Sequence, residues 1–352
     1  MNKNTLKNIV SPLLEWFGEN ARSMPWRSDP TPYKVWISEI MLQQTRVEAG
    51  RSYFLRWVEA LPDVEALANV EESKLMKLWE GLGYYNRARN LKKAAGVVME
   101  QYSGKIPETF EQLLSLPGIG PYTAGAIGSI AFQLPVPAVD GNVLRVVARV
   151  TGDRSDIRSE AVKRFYSESI ASIMPSHRPG DFNQALMELG ALVCIPNGMP
   201  RCDLCPLAGQ CIAHMKKVTA EIPSKRKKPD RTITERTIFV LKIGSCILLR
   251  KREDKGLLAG QWELPGTDRL LSEDELEPLL ESWGYRIRSM EELPPSRHIF
   301  SHVEWRMKAY KIEAEASFLK EDDAIWICAD QERLSHEIAL PSAFNAYRPS
   351  FF

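Results

Sequence analysis

Apolar residues recur at helical spacing through Leu6–Phe17, Val35–Val47, Glu71–Leu82, Phe110–Leu116, Val143–Val150 and Phe182–Val193. That period lines them along one face of a helix. Between the stretches lie Asp29-Pro30, Pro117-Gly118 and Pro179-Gly180, dipeptides that end one element before the next begins. Residues 6 to about 215 show no strand alternation and no long repeat, so the pattern predicts an all-α domain over residues 1–221. The stretch 222–236, IPSKRKKPDRTITER, is charged and poor in apolar residues, as a linker is. From Thr237 onward the period changes. IFVLKI, CILLRK, RMKAYKIEA and AIWICA are short runs bounded by turn residues, the signature of strands. With helices expected at Ser272–Trp283 and Pro341–Tyr347, residues 237–352 read as a smaller α+β domain.

A chain of 352 residues is long enough for two such domains, each with its own core. No run approaches the roughly 18 apolar residues of a spanning helix. The opening MNKNTLKNIVSPLLEWF is amphipathic, without a signal-peptide core or cleavage pattern. A cytoplasmic monomer with no membrane partner is the expectation. The formal net charge is only +1, so any grip on phosphates must come from local arrangement and not from bulk charge. Lys225, Arg226, Lys227 and Lys228 form one basic cluster, readable as a phosphate contact or as a solvated connector.

Cysteine changes the picture. Cys194, Cys202, Cys205 and Cys211 are separated by seven, two and five residues. In a chain made in a reducing compartment such packing points to a metal and away from disulfides. Zinc also accepts four thiolates, commonly as paired CxxC knuckles. Here there is one close pair with two outer cysteines wrapping a compact loop, which suits a 4Fe–4S cluster. Cys246 and Cys328 lie in apolar strand-like runs and are expected to be ordinary core residues.

Leu116-Pro117-Gly118-Ile119-Gly120-Pro121-Tyr122-Thr123-Ala124 joins two helical stretches. Gly118 and Gly120 allow a tight turn, and Pro121 suits the first position of the following helix. The free NH groups at that helix start can hold a phosphate without a side-chain charge. Asp140, in PAVDGNVLRVVARV, reads by itself as a helix N-cap.

A helix–hairpin–helix, a downstream aspartate and a four-cysteine loop together resemble the endonuclease III superfamily of DNA glycosylases. Within it the chain is most similar to the MutY family, the adenine DNA glycosylases, through Pro25–Arg27 (PWR), WISEIMLQQT (Trp36–Thr45) and GLGYYNRARNL (Gly81–Leu91). The resemblance covers essentially the whole chain. One departure is an extra residue between the first two cluster cysteines, which makes that loop bulge.

The resemblance implies a base-excision enzyme that removes adenine paired with 8-oxoguanine or guanine in double-stranded DNA. Glu39, on an apolar helix beside Val35, Trp36 and Leu42, would be the general acid that protonates adenine N7, because anionic adenine leaves poorly. The bland alternative is a buried glutamate paired with an arginine. Asp140 would stay ionised and stabilise the oxocarbenium-like sugar. Two carboxylates with divergent pKa values divide labour in this way in glycoside hydrolysis. Asn142 would hydrogen-bond into the same site. Tyr122 stands where related lyases carry a Schiff-base lysine, which implies a monofunctional enzyme that leaves an abasic site. Lys92 or Lys93 supplying an amine would overturn this.

Extruding a paired base leaves a gap to fill. Gln44, Thr45, Leu82, Gly83 and Tyr84 match the family's residues at the lesion, with Tyr84 as the wedge. Trp26, Arg27 and Gln184 match further lesion-side or DNA-contacting positions. The C-terminal domain resembles the Nudix-like domain that reads 8-oxoguanine, with Phe300-Ser301-His302 as the reading loop. LLAGQWELPGT (Leu257–Thr267) matches the approach to a Nudix turn, but LSEDELEPLLESWGY lacks the paired glutamates for magnesium, so no pyrophosphatase activity is expected. A non-catalytic DNA-binding module, an endonuclease III-like lyase and a fused Nudix hydrolase are the rival readings.

Overall fold

The computed structural model describes residues 6–224, 230–316 and 325–352. The basic cluster at Lys225–Lys228 therefore lies outside the described residues. Along the chain run α1 (Val10–Asn20), α2 (Pro25–Ser28), α3 (Pro32–Leu42), α4 (Val47–Ala60), α5 (Val64–Asn69), α6 (Glu72–Trp79) and α7 (Asn86–Tyr102). They are followed by α8 (Phe110–Ser115), α9 (Pro121–Phe132), α10 (Gly141–Thr151), α11 (Glu160–Ala171), α12 (Pro179–Leu192) and α13 (Ile212–Met215). Among the described residues no helix is long and apolar enough to cross a membrane.

Two compact units form: Met1–Asn69 with Arg89–Lys227, and Val70–Ala88 with Lys228–Phe352. The helical unit is centred on α1, α10 and α12, whose Leu13, Phe17, Val143, Val147, Phe182 and Leu186 share one core. Small residues set how closely its helices approach. A Cβ at Gly190 of α12 would lie 2.6 Å from the Cβ of Asn142 at the start of α10. The helical stretch expected through Val35–Val47 is broken after Leu42, where Gln44 adopts a positive φ of 63°.

In the second unit β1 (Thr232–Ile243), β2 (Cys246–Lys251), β3 (Trp262–Glu263), β4 (Gly266–Thr267), β5 (Tyr285–Ile299), β6 (Val303–Ala316) and β7 (Trp326–Ala329) make a mixed sheet. Its order is β3-β2-β1-β6-β5, with β4 on β1 and β7 on β2. Only β1 and β6 are parallel among these pairs, in register from Thr232↔Val303 to Lys242↔Glu313. The sheet is covered on both sides, which is why β1 reads IFVL and not as an alternation. Ile238 and Val240 join a core with Phe344, Tyr347 and Phe351. Phe239 and Leu241 join the opposite core with Leu276 and Leu280 of α14 (Glu273–Ser282). The helix expected at Pro341–Tyr347 is a 3₁₀ helix, Ser342–Ser350.

Three sequence expectations meet a different outcome. Cys246 and Cys328 are joined by a disulfide and are not ordinary core residues. Antiparallel pairing of β2 with β7 places them diagonally on one face, with Cα atoms 5.5 Å apart. Residues 70–88, expected in the helical domain, cluster with the second unit because α6 is pinned there. Lys77 Nζ donates to the carbonyls of Leu334 and Ile338 at 2.8 and 3.2 Å, and Glu80 Oε1 accepts from Leu340 N at 3.0 Å. The stretch read as a linker is built into the units at both ends. Ile222 is buried and accepts from Arg149, while Thr232–Arg236 belong to β1.

Candidate active site

Three of the expected catalytic groups converge in the helical unit. Glu39 lies in the last turn of α3, whose residues Tyr33 to Met41 are buried apart from Lys34. Thr31 caps this helix and Pro32 starts it. Tyr122 is in the first turn of α9, and its hydroxyl donates to Oε2 of Glu39 and lies 3.3 Å from Met187 Sδ. Burial drives the Glu39 carboxyl from its ordinary 4.5 up to about 7; the Tyr122 bond and Arg27 pull it down, and Asp140 pushes it up. Glu39 makes no ion pair among the described residues. Burial also holds the Tyr122 hydroxyl well above its ordinary range, with the Glu39 and Asp140 charges adding to the effect. This phenol is a hydrogen-bond donor and not an acid at neutral pH.

Asp140 is the N-cap of α10 and a member of this cluster at once. Its Oδ1 accepts from the backbone NH of Asn142 and Val143 at 2.9 and 2.8 Å, and its Oδ2 from Asn142 Nδ2 at 2.7 Å. Burial raises its pKa, while these three donors and the Arg145 charge oppose the rise by favouring the carboxylate. Asn142 is aimed by Arg145, whose Nη2 donates to Asn142 Oδ1 at 2.9 Å and whose Nε donates to the Cys194 carbonyl at 2.7 Å. Asn142 thus orients Asp140 from within the same helix turn.

The hairpin runs from α8 to α9. Gly118 has a φ of +76°, and a Cβ there would sit 2.6 Å from the Cβ of Asn90, so both backbone and space demand glycine. Gly120 differs: it caps α9 with a negative φ and faces open space. Its lack of a side chain leaves the first NH groups of α9 uncovered. Gln44 is exposed and Thr45 half-buried in the turn after α3.

Arg27 is committed elsewhere in the unit. Its Nε donates to Gln184 Oε1 at 2.9 Å, and its Nη2 pairs with Glu188 Oε2 at 3.1 Å. Trp26 is buried edge-on against Phe54, with ring centroids 5.2 Å apart, so its place is in the core. Glu188, Arg22, Arg145 and Arg149 escaped the sequence reading. Each is a charge inside an apolar helical run or beside a proline-tryptophan turn, which was the available signal.

The four clustered cysteines are all free and line one cavity with Arg149 and His214. Cys194 follows α12, Cys202 and Cys205 bracket a 3₁₀ turn, and Cys211 caps α13. The loop from Cys194 to Cys202 runs through the exposed stretch 196–199 and is closed by Arg201 N bonding to the Val193 carbonyl at 3.0 Å. Arg149 Nη1 lies 3.3 Å from Cys194 Sγ. Burial pushes the Cys205 thiol up to about 12 and raises Cys202 and Cys211 in the same direction. Among the described residues no three metal-ligating side chains gather as around a single ion.

The remaining expected residues lie in the second unit. Tyr84 is exposed, with φ +48°, and its hydroxyl shares a 2.5 Å hydrogen bond with Ser301 Oγ. Arg87 sits over the Tyr84 and Trp79 rings and donates to the carbonyls of Leu82 and Gly83. Gly83 (φ +69°) permits the turn, and Leu82 is buried. The Phe300-Ser301-His302 turn joins β5 to β6. Phe300 N bonds to the Val303 carbonyl at 2.8 Å, Thr232 N to the His302 carbonyl at 3.0 Å, and the Phe300 ring packs on Trp305. Ser301 and His302 are exposed.

Residues 37–172 match the family of HhH-GPD superfamily base excision DNA repair proteins, and residues 237–347 match the NUDIX domain. The adenine DNA glycosylase of Mus musculus is 35% identical over 86% of this chain and 70% of its own. That of Buchnera aphidicola subsp. Schizaphis graminum is 37% identical over 73% of this chain and 74% of its own. Among solved structures a thermostable thymine-DNA glycosylase superposes with a TM-score of 0.55 at 29% identity, covering 60% of this chain and 98% of that one.

Proposed function

The chain belongs to the adenine DNA glycosylase family, and from that footing we propose that it is a monofunctional enzyme excising adenine paired with 8-oxoguanine or guanine in duplex DNA. The observation that carries the reading is the buried Glu39 carboxyl at about 7, bonded to Tyr122 and without an ion pair among the described residues. A carboxyl so placed still holds a proton near neutrality. Tyr122 occupies Oε2, which leaves Oε1 to carry that proton to adenine N7. The bond from C1′ to N9 then breaks, its electron pair leaves with the base, and positive charge develops on the sugar. Asp140, whose carboxylate form its three donors favour against the rise that burial imposes, would face that charge. A water adds to C1′ and its proton passes to the Glu39 carboxylate, restoring the acid.

Tyr122, at the hairpin position where related lyases carry a Schiff-base lysine, offers a phenol and no amine, which supports base excision without Schiff-base strand cleavage. The lesion-reading role belongs to Phe300, Ser301 and His302 with Tyr84, a reading supported by the Tyr84–Ser301 bond.

Cys194, Cys202, Cys205 and Cys211 would hold a 4Fe–4S cluster. Four free thiols lining one cavity, with the Arg149 guanidinium 3.3 Å from the Cys194 sulfur to offset thiolate charge, support that reading. When bound it would cross-link the loop after α12.

Single-turnover excision on a duplex with adenine opposite 8-oxoguanine, with and without alkali, tests the function. Strand breaks only after alkali are expected. Breaks without alkali would mean a lyase, and no breaks at all a different substrate.

A further inference from the structure

Glu188 is only 3% exposed within α12, yet it carries two ion pairs. Two arginines from outside that helix close on it. Arg22 donates from its backbone NH, from Nε at 2.7 Å and from Nη2 at 3.0 Å. Arg27 donates from Nη1 at 3.4 Å and Nη2 at 3.1 Å. Arg27 is thereby turned toward α12, with Gln184 taking its Nε. It remains close enough for its charge to act on Glu39. The arginine best placed to neutralise the candidate acid is bound to a different carboxylate.

We propose that Glu188 is a positioning residue for excision: by holding Arg22 and Arg27 on its own carboxylate, it keeps Arg27 from pairing with Glu39. The inference rests on Glu39 acting as the acid. If Arg27 turned to Glu39, it would stabilise the carboxylate and strip the proton that excision needs. Around Glu39, α2 supplies Arg27, α9 supplies Tyr122 and the N-cap of α10 supplies Asp140; from α4, packed along α3, no ion pair reaches it among the described residues. Burial alone would raise the Glu188 carboxyl, but the bonds and charges of the two arginines outweigh it and bring it down to about 2.

The test is the pH profile of single-turnover excision by the full metal-replete chain, with wild type, Glu188→Gln, Glu188→Asp, Arg22→Gln and Glu39→Gln. In wild type the rate falls as pH passes about 7. In Glu188→Gln the falling limb moves down by about one pH unit, and Glu188→Asp restores it. Arg22→Gln leaves the whole carboxylate to Arg27 and moves the limb up. A uniform loss of rate in Glu188→Gln with the limb unmoved overturns the proposal, because a purely structural defect acts alike at every pH. Should Glu188→Gln fail to fold, the direction in Arg22→Gln decides: an upward shift supports the proposal, and an unmoved or lowered limb overturns it. A wild type without a falling limb, or an active Glu39→Gln, overturns the acid reading itself.

Discussion

The Tyr122 hydroxyl donates to Oε2 of Glu39 across 83 positions of sequence, tying the first turn of α9 to the last turn of α3. The bond favours the charged carboxylate, whereas burial favours the neutral acid, and burial is the larger of the two. Tyr122→Phe therefore removes an influence that lowers the Glu39 pKa. We expect the falling limb of the pH profile to move upward while the maximal rate drops about tenfold through lost orientation. A pH series of single-turnover rates reads both effects.

Glu39→Gln is expected to abolish excision while retaining binding to the mispaired duplex, measured by gel shift. Its effect on stability also has a definite sign. The Glu39 pKa is raised from 4.5 to about 7 in the folded chain. A group raised on folding contributes its full stability below the unfolded value and loses it as pH rises through the folded value. The wild-type protein gives up as much as about 3 kcal/mol across that window, and the glutamine variant does not. Thermal melts should show the variant gaining on wild type at about pH 8 relative to about pH 5.

Tyr84 and Ser301 meet through one hydrogen bond at the Phe300-Ser301-His302 turn. Tyr84→Phe and Ser301→Ala should each reduce the preference for 8-oxoguanine over guanine about threefold to tenfold. The double variant should lose little more than either single one, because both remove the same bond. Full additivity in the ratio of excision rates would show that the two residues act separately.

The six cysteines divide into four free thiols and one disulfide. Thiol titration of denatured, metal-free protein should find four thiols before reduction and six after. The proposed 4Fe–4S cluster predicts iron–sulfur absorption and bound iron in the purified chain, both lost when Cys202 is replaced by alanine. Replacing Cys246 by alanine should leave both unchanged and lower the melting temperature of the second unit.

Much of this protein is legible in its residue order. Apolar periodicity marks helices around Glu39, Val143 and Phe182, and β-branched runs mark β1, β2 and β6. The Gly118 turn, the Pro121 start and the Asp140 cap are also visible, because periods, caps and turns are properties of neighbours along the chain. Local pattern does not reveal α9 as a face: Thr123 to Ser129 are buried together, so it has no polar side to create a period.

The pairings have another origin. Glu188 meets Arg22 across 166 positions and Arg27 across 161, and nothing local to α12 names either partner. Cys246 and Cys328 become a disulfide through the register of β2 against β7. Residues 70–88 join the second unit because Lys77 and Glu80 find their partners near its C-terminus. Residue order is enough to say which side chains could carry the chemistry. Packing between distant segments settles which carboxyl is desolvated and which is paired, because both depend on what lies across the core and not on what lies along the chain.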